Sequence, residues 1–223
     1  MKKIGLNFVR LFSGYFLYAL GIVMAINANL GIAPWDVLNQ GIGNILNITI
    51  GKASILVGFV IVLIDIYLGE NVGWGTVFNM IFVGIFIDLI IASNLVPKFD
   101  SFIPSLLLIL AGLLIIGFAC YLYVGAGYGI GPRDGLMVAI TKKTKKSVKF
   151  VKNTIEVTVL IIGYLLGGSV GIGTAIMSIC GGYFFEFVFK LVNFNVAEVK
   201  HRYIIDDIRF IKEKLREKKE GEV

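Results

Sequence analysis

Residues that build hydrolytic and metal-dependent active sites are rare in this sequence. The only histidine, His201, lies near the C-terminus, so the zinc-protease pattern H-E-x-x-H does not occur. A G-x-x-x-x-G-K-[ST] loop for binding nucleotide phosphates is also absent. We therefore expect no catalytic residues, no metal site and no cofactor, and no use of ATP by this chain.

Cysteine and charged residues are scarce as well. Cys120 and Cys180 lie in apolar runs without the spacing of metal ligands, which makes them packing residues rather than a disulfide scaffold. Charged residues make up 16% of the chain and hydrophobic residues 57%, with a mean hydropathy of +0.86. Water-soluble domains do not have this composition, so the sequence predicts an integral membrane protein.

Six apolar runs have about the length needed to cross a bilayer, because roughly 20 helical residues span the hydrocarbon layer of about 30 Å. Lipid requires backbone groups to be satisfied within each segment, and no period-two alternation indicates a barrel. The predicted fold is therefore all-α, a polytopic transmembrane helical bundle. The predicted spans are 6–27, 53–69, 73–94, 102–124, 151–167 and 171–192.

The two halves of the sequence resemble each other at a constant offset of 98 residues. The motif G-I-x-P-x-D begins at Gly31 and again at Gly129, and the same offset carries Asp88 onto Glu186. We interpret the offset as a duplication, with a first membrane repeat at 1–97, a second at 98–196 and a charged tail at 197–223.

Three spans per repeat predict that the copies insert in opposite directions, as in many transporters, with a short broken or re-entrant helix in each. The alternative is eight spans with parallel repeats, which charge slightly favours. Length opposes it, because only seven residues, 135–141, precede the basic run 142–146. The positive-inside rule places both termini in the cytoplasm and explains the net charge of +6 without nucleic acid.

Each G-I-x-P-x-D loop is predicted to break a helix, because glycine frees the backbone and proline lacks an N–H. New helices then begin at Pro34 and Pro132, with Asp36 and Asp134 near their positive N-terminal ends. Broken helices expose backbone groups that hold ions or polar solutes in transporters. An ordinary helix cap at the membrane surface explains the same residues.

Two further polar residues lie close to these loops. Arg133 replaces Trp35 in the second loop and is suited to pair with Asp134 or to bind an anion, or it lies at the surface without a special role. Asn39 continues a polar helix face from Asp36, which lines a cavity or lies at the headgroup level.

Asp88 and Glu186 lie within apolar spans at matching positions, and ionisable residues in a membrane commonly mark functional sites. The alternative is that each lies near a span end and pairs with Lys190 or its neighbours. Thr76 and Thr174 belong to G-x-G-T motifs that either pack helices closely or present a hydroxyl to a ligand. The predicted substrate-binding residues are Asp36, Asn39, Thr76, Asp88, Arg133, Asp134, Thr174 and Glu186.

The charged tail has apolar residues at steps of three or four, which predicts an amphipathic helix. Its basic and acidic residues nearly balance, so docking to the bundle, to a second copy or to a protein partner is favoured over attraction to lipid. The residues of this apolar face are Ile204, Ile208, Ile211 and Leu215.

The loop G-I-A-P-W-D, the segment T-I-G-K-A-S, the motif G-W-G-T and the later F-I-D-L resemble those of the YczE/YyaS/YitT-like bacterial membrane proteins over most of residues 8–192. Asp36 matches the family's proline, tryptophan and aspartate element, and Asp88 matches its glycine-rich helix. Arg133 departs from the tryptophan of the first loop, so a shared role for the second loop does not follow. The resemblance implies a protein of the bacterial cytoplasmic membrane and no particular substrate.

These features lead to two hypotheses about function. The duplicated unit, the broken helices and the in-span acids favour a gradient-driven transporter of a small solute or ion, with its site at the repeat interface. The alternative is a non-transporting scaffold or regulatory protein that acts through the tail helix.

Overall fold

The computed structural model describes residues 2–220, with side chains for residues 5–214. This part of the chain is helical throughout and contains no β-strand, which confirms the all-α prediction. The helices are α1 Lys2–Asn27, α2 Pro34–Leu46, α3 Ile50–Tyr67, α4 Trp74–Ser93, α5 Phe102–Gly125, α6 Pro132–Thr144, α7 Val148–Leu165, α8 Ile172–Leu191, a 3-10 helix Val196–Glu198, and α9 Ile204–Glu220.

Five of these helices are long and apolar enough to cross a membrane, namely α1, α3, α4, α5 and α8. They correspond to five of the six predicted spans. The remaining predicted span, 151–167, falls on α7, which has 18 residues but includes Lys149, Lys152 and Glu156. The helix α7 therefore has the length of a span but is more polar than the other five helices.

The two longest apolar helices, α1 and α5, form the centre of the bundle and run antiparallel. Arg10, early in α1, donates hydrogen bonds to the carbonyl oxygens of Tyr121 and Gly125 at the end of α5, at 3.1 and 3.2 Å. Further along α1, Gly21 lies against Gly112, where the lack of side chains allows the helices to approach closely.

The other long helices surround this pair. Phe12 contacts Phe82 edge-on and Phe16 contacts Phe86, so α4 runs parallel to α1. Short loops then make α3 antiparallel to α4 and α7 antiparallel to α8. We call the end of the bundle with the start of α1 and residues 196–204 the tail end, and the end with residues 94–101 the linker end.

The helices α2 and α6 are too short to cross the bundle. Each has 13 residues, about 20 Å of helix, against a hydrocarbon layer of about 30 Å. Each begins at a proline that follows an extended residue, as predicted from the sequence. The helix α2 packs on α7 and α6 packs on α3, so each short helix lies against the opposite half of the chain.

The loop before each short helix is hydrogen-bonded to the G-x-G-T motif of the other half. The N–H of Gly75 donates to the carbonyl of Tyr128 at 2.8 Å, and the N–H of Gly173 donates to the carbonyl of Leu30 at 2.7 Å. These reciprocal bonds satisfy backbone groups that the helix breaks would otherwise leave unpaired inside the bundle.

Glycine is required where these loops cross. Gly31 and Gly129 have φ angles of 99° and 115°, which side-chain-bearing residues rarely adopt. A Cβ at Gly31 would lie 2.4 Å from the nitrogen of Gly171, and a Cβ at Gly129 would lie 2.6 Å from Oγ1 of Thr76. The loops therefore hold the two halves together through backbone contacts that no larger residue permits.

Candidate functional site

A cavity of about 460 Å³ lies between the two halves, where the two loops meet. Residues from every helix from α1 to α8 line it, and the two loops contribute residues 33–36 and 130–134. Met80, Met137 and Phe185 contribute apolar surface. An apolar cavity of this size with a few convergent polar groups is the usual form of a small-molecule site.

Arg133 joins the two loops in the wall of this cavity. Its Nη2 lies 3.3 Å from Oδ1 of Asp36, and its guanidinium carbon lies 5.3 Å from the centre of the Trp35 ring. The sequence points to the adjacent Asp134 as a partner, whereas the structure places Asp36 of the other half there. The side chains of Arg133 and Asp36 are 23% and 4% exposed, so the ion pair is largely shielded from solvent.

Asn39 lies behind Asp36 and does not line the cavity. It is fully buried, and its Nδ2 donates to Oδ1 of Asp36 at 3.4 Å. Its own Oδ1 has no hydrogen-bond partner among the described side chains and backbone groups. Asn39 thus positions Asp36 from one turn further along α2.

Asp134 presents a carboxylate to the cavity and has no ion-pair partner in the part of the chain that the structure describes. The hydroxyl of Tyr123 donates to its Oδ2 at 3.4 Å. Asp134 thus differs from Asp36 and Glu156, the other two acids of the cavity, which both form ion pairs.

Lys152 and Glu156 also line the cavity, and their Nζ and Oε1 atoms lie 3.8 Å apart. They belong to α7 and are absent from the predicted site, although their spacing of four residues marks them as a helical pair. The signal that identifies them is the polarity of α7, since charged side chains in a bundle helix face a cavity rather than lipid.

Thr76 and Thr174, which were predicted to contact substrate, are buried outside the cavity lining. Oγ1 of Thr76 donates to the carbonyl of Ile130 at 2.7 Å, which ties α4 to the second loop. Oγ1 of Thr174 accepts from the N–H of Gly171 at 3.2 Å. Both hydroxyls therefore form hydrogen bonds with backbone groups where the loop of one half meets the G-x-G-T motif of the other.

Asp88 and Glu186 are not brought together, and neither lines the central cavity. Asp88 accepts hydrogen bonds from the hydroxyl of Thr49 at 2.5 Å and from the N–H of Gly51 at 2.9 Å, at the start of α3. Glu186 is 61% exposed and pairs with Lys190 at 2.7 Å. The structure therefore places both acids outside the cavity, each near the end of its helix.

The two helix pairs beside the cavity, α3 with α4 and α7 with α8, pack differently. At the linker end α3 and α4 pack tightly, with Gly51 against Gly84. Between α7 and α8 the packing is looser, and a Cβ added at Gly181 or Gly182 in the middle of α8 would meet no atom within 4 Å. The cavity lining includes Lys152 near the start of α7 and Phe189 near the end of α8, so the cavity extends toward the tail end.

The segment before α9 docks on the tail end through backbone contacts. Nδ1 of His201 accepts from the N–H of Gly129 at 3.3 Å, and the N–H of Arg202 donates to the carbonyl of Gly127 at 2.8 Å. Ile208 and Ile211 of the predicted apolar face remain exposed. The side chain of Leu215 lies outside the described residues.

Burial lowers the pKa of His201 below its ordinary value of 6.5, because the charged ring loses its contact with water. The contribution of His201 to docking is complete above pH 6.5 and is lost as the pH falls through its lower, folded-state pKa. A spin label at Arg209→Cys should become more mobile as the pH is lowered from about 7.5 through the folded-state pKa of His201. In the His201→Ala background, the label should show no such pH dependence.

Residues 167–171, G-G-S-V-G, match the G-x-S-x-G pattern of hydrolase nucleophiles. The pattern requires a strand before the serine, and the preceding element here is the helix α7. The N–H of Ser169 donates to Oε1 of Gln40 at 2.6 Å, so the match marks a turn at the linker end.

Comparisons with known proteins place most of the chain in one family. Residues 6–190 match DUF6198, described as a family of unknown function. The uncharacterized membrane protein YczE of Bacillus subtilis is 32% identical over 202 residues, 88% of this chain and 93% of its own length. An uncharacterized protein of Haemophilus influenzae is 33% identical over 181 residues, covering 79% of this chain and 82% of its own length.

The uncharacterized protein YyaS of Bacillus subtilis is 25% identical over 173 residues, which are 76% of this chain and 85% of the relative. No solved structure matches the chain. The resemblance to YczE-like membrane proteins is confirmed, and the chain belongs to the DUF6198 family of membrane proteins.

Proposed function

We propose that this chain is a gradient-driven transporter of a small organic solute, which binds in the central cavity between two inverted copies of one unit. The observation that carries the proposal is the cavity itself, which both G-I-x-P-x-D loops line and which extends toward the tail end, whereas α3 and α4 pack closely at the linker end. Transporters with inverted repeats bind their substrates at the interface of such broken helices.

The helix bounds support the duplication on which the proposal rests. The helices α2, α3 and α4 begin and end 98 residues before α6, α7 and α8. The helices α1 and α5 occupy equivalent positions and are antiparallel, as an inverted pair must be. The exchange of the Gly75 and Gly173 hydrogen bonds between the halves follows the same symmetry.

The charges of the cavity favour a solute that carries a cationic group. Arg133 is paired with Asp36 and Lys152 with Glu156, so Asp134 supplies one uncompensated negative charge. The volume and the apolar walls suit an organic molecule better than a bare ion, which needs several oxygen ligands at short distance. We therefore propose a small amphiphilic organic cation, exchanged for a proton at Asp134.

The distribution of basic residues also gives the proposed orientation of the protein in the membrane. Basic residues gather at the tail end, in the run 142–149 and beside the start of α1, and the positive-inside rule makes this end cytoplasmic. The cavity then faces the cytoplasm, and both termini lie on that side. We propose no enzymatic reaction for this chain.

Transport is tested with purified protein in liposomes, using ethidium as a fluorescent organic cation and an imposed pH gradient. The wild type should accumulate ethidium against its gradient, and Asp134→Asn should lower the initial rate roughly tenfold or more, because a charged contact is lost. Asp100→Asn, an exposed acid of the linker, is the matched control and should transport normally. Equal rates in the Asp134→Asn and wild-type proteins would remove Asp134 from the mechanism.

A scaffold function remains the second proposal, because Ile208 and Ile211 stay exposed on α9 although the preceding residues dock. It predicts that removing residues 205–223 abolishes biological activity while the bundle still folds. Normal activity in the truncated protein would reject this function and would leave the transport proposal standing.

A further inference from the structure

The two ends of the bundle differ although the sequence positions that form them are equivalent. Gly84 of α4 packs on the backbone of Gly51 in α3, which closes the linker end. The position equivalent to Gly84 is Gly182 of α8, around which an added Cβ would meet open space. One helix pair is therefore closed and its counterpart is open.

A hydrogen-bonded acid holds the closed pair together. Asp88 on α4 accepts from the hydroxyl of Thr49 and from the N–H of Gly51, so its carboxylate lies at the positive N-terminal end of α3. This contact spans the two helices at the linker end. Its removal leaves the first turn of α3 without an acceptor for one N–H group.

The same three positions in the second half carry the same kinds of group. Ser147 stands for Thr49 as the N-cap residue of α7, Lys149 stands for Gly51, and Glu186 stands for Asp88. In the open pair Glu186 does not reach α7 and instead forms its 2.7 Å ion pair with Lys190, one turn further along its own helix. The second half thus has a hydroxyl donor in Ser147, a backbone N–H group in Lys149 and an acid in Glu186, but Glu186 makes no contact with the other two.

We propose that Asp88 and Glu186 are alternating latches, a deduction that rests on the proposed transport function. Asp88 holds α3 to α4 while the cavity faces the tail end. In the opposite conformation Asp88 releases α3, α7 closes on α8, and Glu186 accepts from the hydroxyl of Ser147 and the start of α7. Both acids are positioning residues, since neither touches the cavity in which the solute binds.

The replacement of Gly51 by Lys149 fits this role once the lengths of the two acids are compared. A Cβ at Gly51 would lie within 2.5 Å of Asp88, so α7, which carries Lys149, cannot approach α8 as closely as α3 approaches α4. Glutamate has one methylene more than aspartate and reaches across the wider gap. The lysine ammonium adds an opposite charge to the closed contact.

Spin-label distances in lipid nanodiscs test the latches without any solute. Cys120 and Cys180 are first replaced by alanine, and labels are attached at two equivalent pairs of exposed positions. The pair Lys52→Cys and Leu89→Cys reports on α3 and α4. The pair Phe150→Cys and Phe187→Cys reports on α7 and α8.

Asp88→Asn should lengthen the 52–89 distance and shorten the 150–187 distance, shifting the ratio of the two conformers about tenfold or more. Adding Glu186→Gln to Asp88→Asn should restore the long 150–187 distance. Asp100→Asn is the matched control and should change neither distance. Thr49→Ala keeps the carboxylate and should shift both distances in the same directions by less, so it replaces Asp88→Asn if that variant does not fold.

Unchanged distances in Asp88→Asn, or a short 150–187 distance that persists after Glu186→Gln is added, would overturn the latches. Ethidium flux separates this failure from failure of the proposed function. Unchanged distances with normal ethidium flux would reject the latch proposal and leave the transport proposal standing. Shifted distances without flux uphold the latches as a conformational device and reject transport of this cation.

Discussion

Arg133→Met is expected to lower the free energy of unfolding by about 3 kcal/mol. The substitution leaves Asp36, which is 4% exposed, without its cationic partner in the interior of the bundle. It also removes the guanidinium from the face of the Trp35 ring. The change should appear as a lower unfolding midpoint in mild detergent, followed by the circular dichroism of the helices.

The double variant Arg133→Met with Asp36→Asn distinguishes the ion pair from simple loss of packing. Neutralising both partners removes the unpaired charge, so the double variant should be more stable than Arg133→Met alone. Asp36→Asn alone should lose less stability, because Arg133 is 23% exposed and retains its contact with Trp35. A double variant that is no more stable than Arg133→Met would contradict the assigned pairing.

Gly31→Ala and Gly129→Ala are expected to destabilise the protein by more than about 2 kcal/mol each. The positive φ angles alone cost about 1–2 kcal/mol in a residue with a side chain. At Gly31 the added Cβ would also overlap the backbone nitrogen of Gly171, which cannot move without breaking the loop crossing. The measurement is again the unfolding midpoint in detergent, together with the yield of monodisperse protein.

Gly181→Ala is the matched control for these variants. It lies within α8, where an added Cβ would meet no atom within 4 Å and where alanine favours helix by up to about 1 kcal/mol. It should be neutral or slightly stabilising. Equal decreases in the free energy of unfolding for Gly181→Ala and Gly31→Ala would show that the contact between Gly31 and Gly171 does not hold the two halves together.

Much of the fold follows from local features of the sequence. Apolar length predicts α1, α3, α4, α5 and α8 because lipid removes the alternatives to helix. Pro34 and Pro132 predict the starts of the two short helices because proline suits the first helical turn. These features depend on the order of neighbouring residues and on the lipid surroundings. The first is read directly from the sequence, and the second is indicated by its composition.

The contacts across the halves could not be predicted in this way. The pairing of Arg133 with Asp36 joins residues 97 positions apart, and the adjacent Asp134 is the simpler partner on sequence alone. The apolar residues around Asp88 and Glu186 predict that both acids are buried within membrane spans. Their actual partners, the start of α3 and Lys190, depend on how helices pair and where they end.

The place of α7 in the cavity wall could be predicted in part from the sequence. Lys149, Lys152 and Glu156 make α7 more polar than the other long helices of the bundle, which indicates a polar surface inside the bundle. The positions 98 residues earlier are Ser54 and Gly58, so a comparison of the two halves does not identify Lys152 and Glu156. Such a comparison identifies residues that both halves share, whereas these two residues of the cavity wall occur in the second half alone.

The inverted arrangement of the two halves is tested most directly by labelling equivalent positions from one side of the membrane. Lys52→Cys and Phe150→Cys are exposed, equivalent positions at opposite ends of the bundle. In a background without Cys120 and Cys180, intact cells are treated with a membrane-impermeant maleimide. We expect Lys52→Cys to react at once and Phe150→Cys to react only after the cells are permeabilised. Reaction of both cysteines in intact cells, or of neither, would contradict the inverted arrangement.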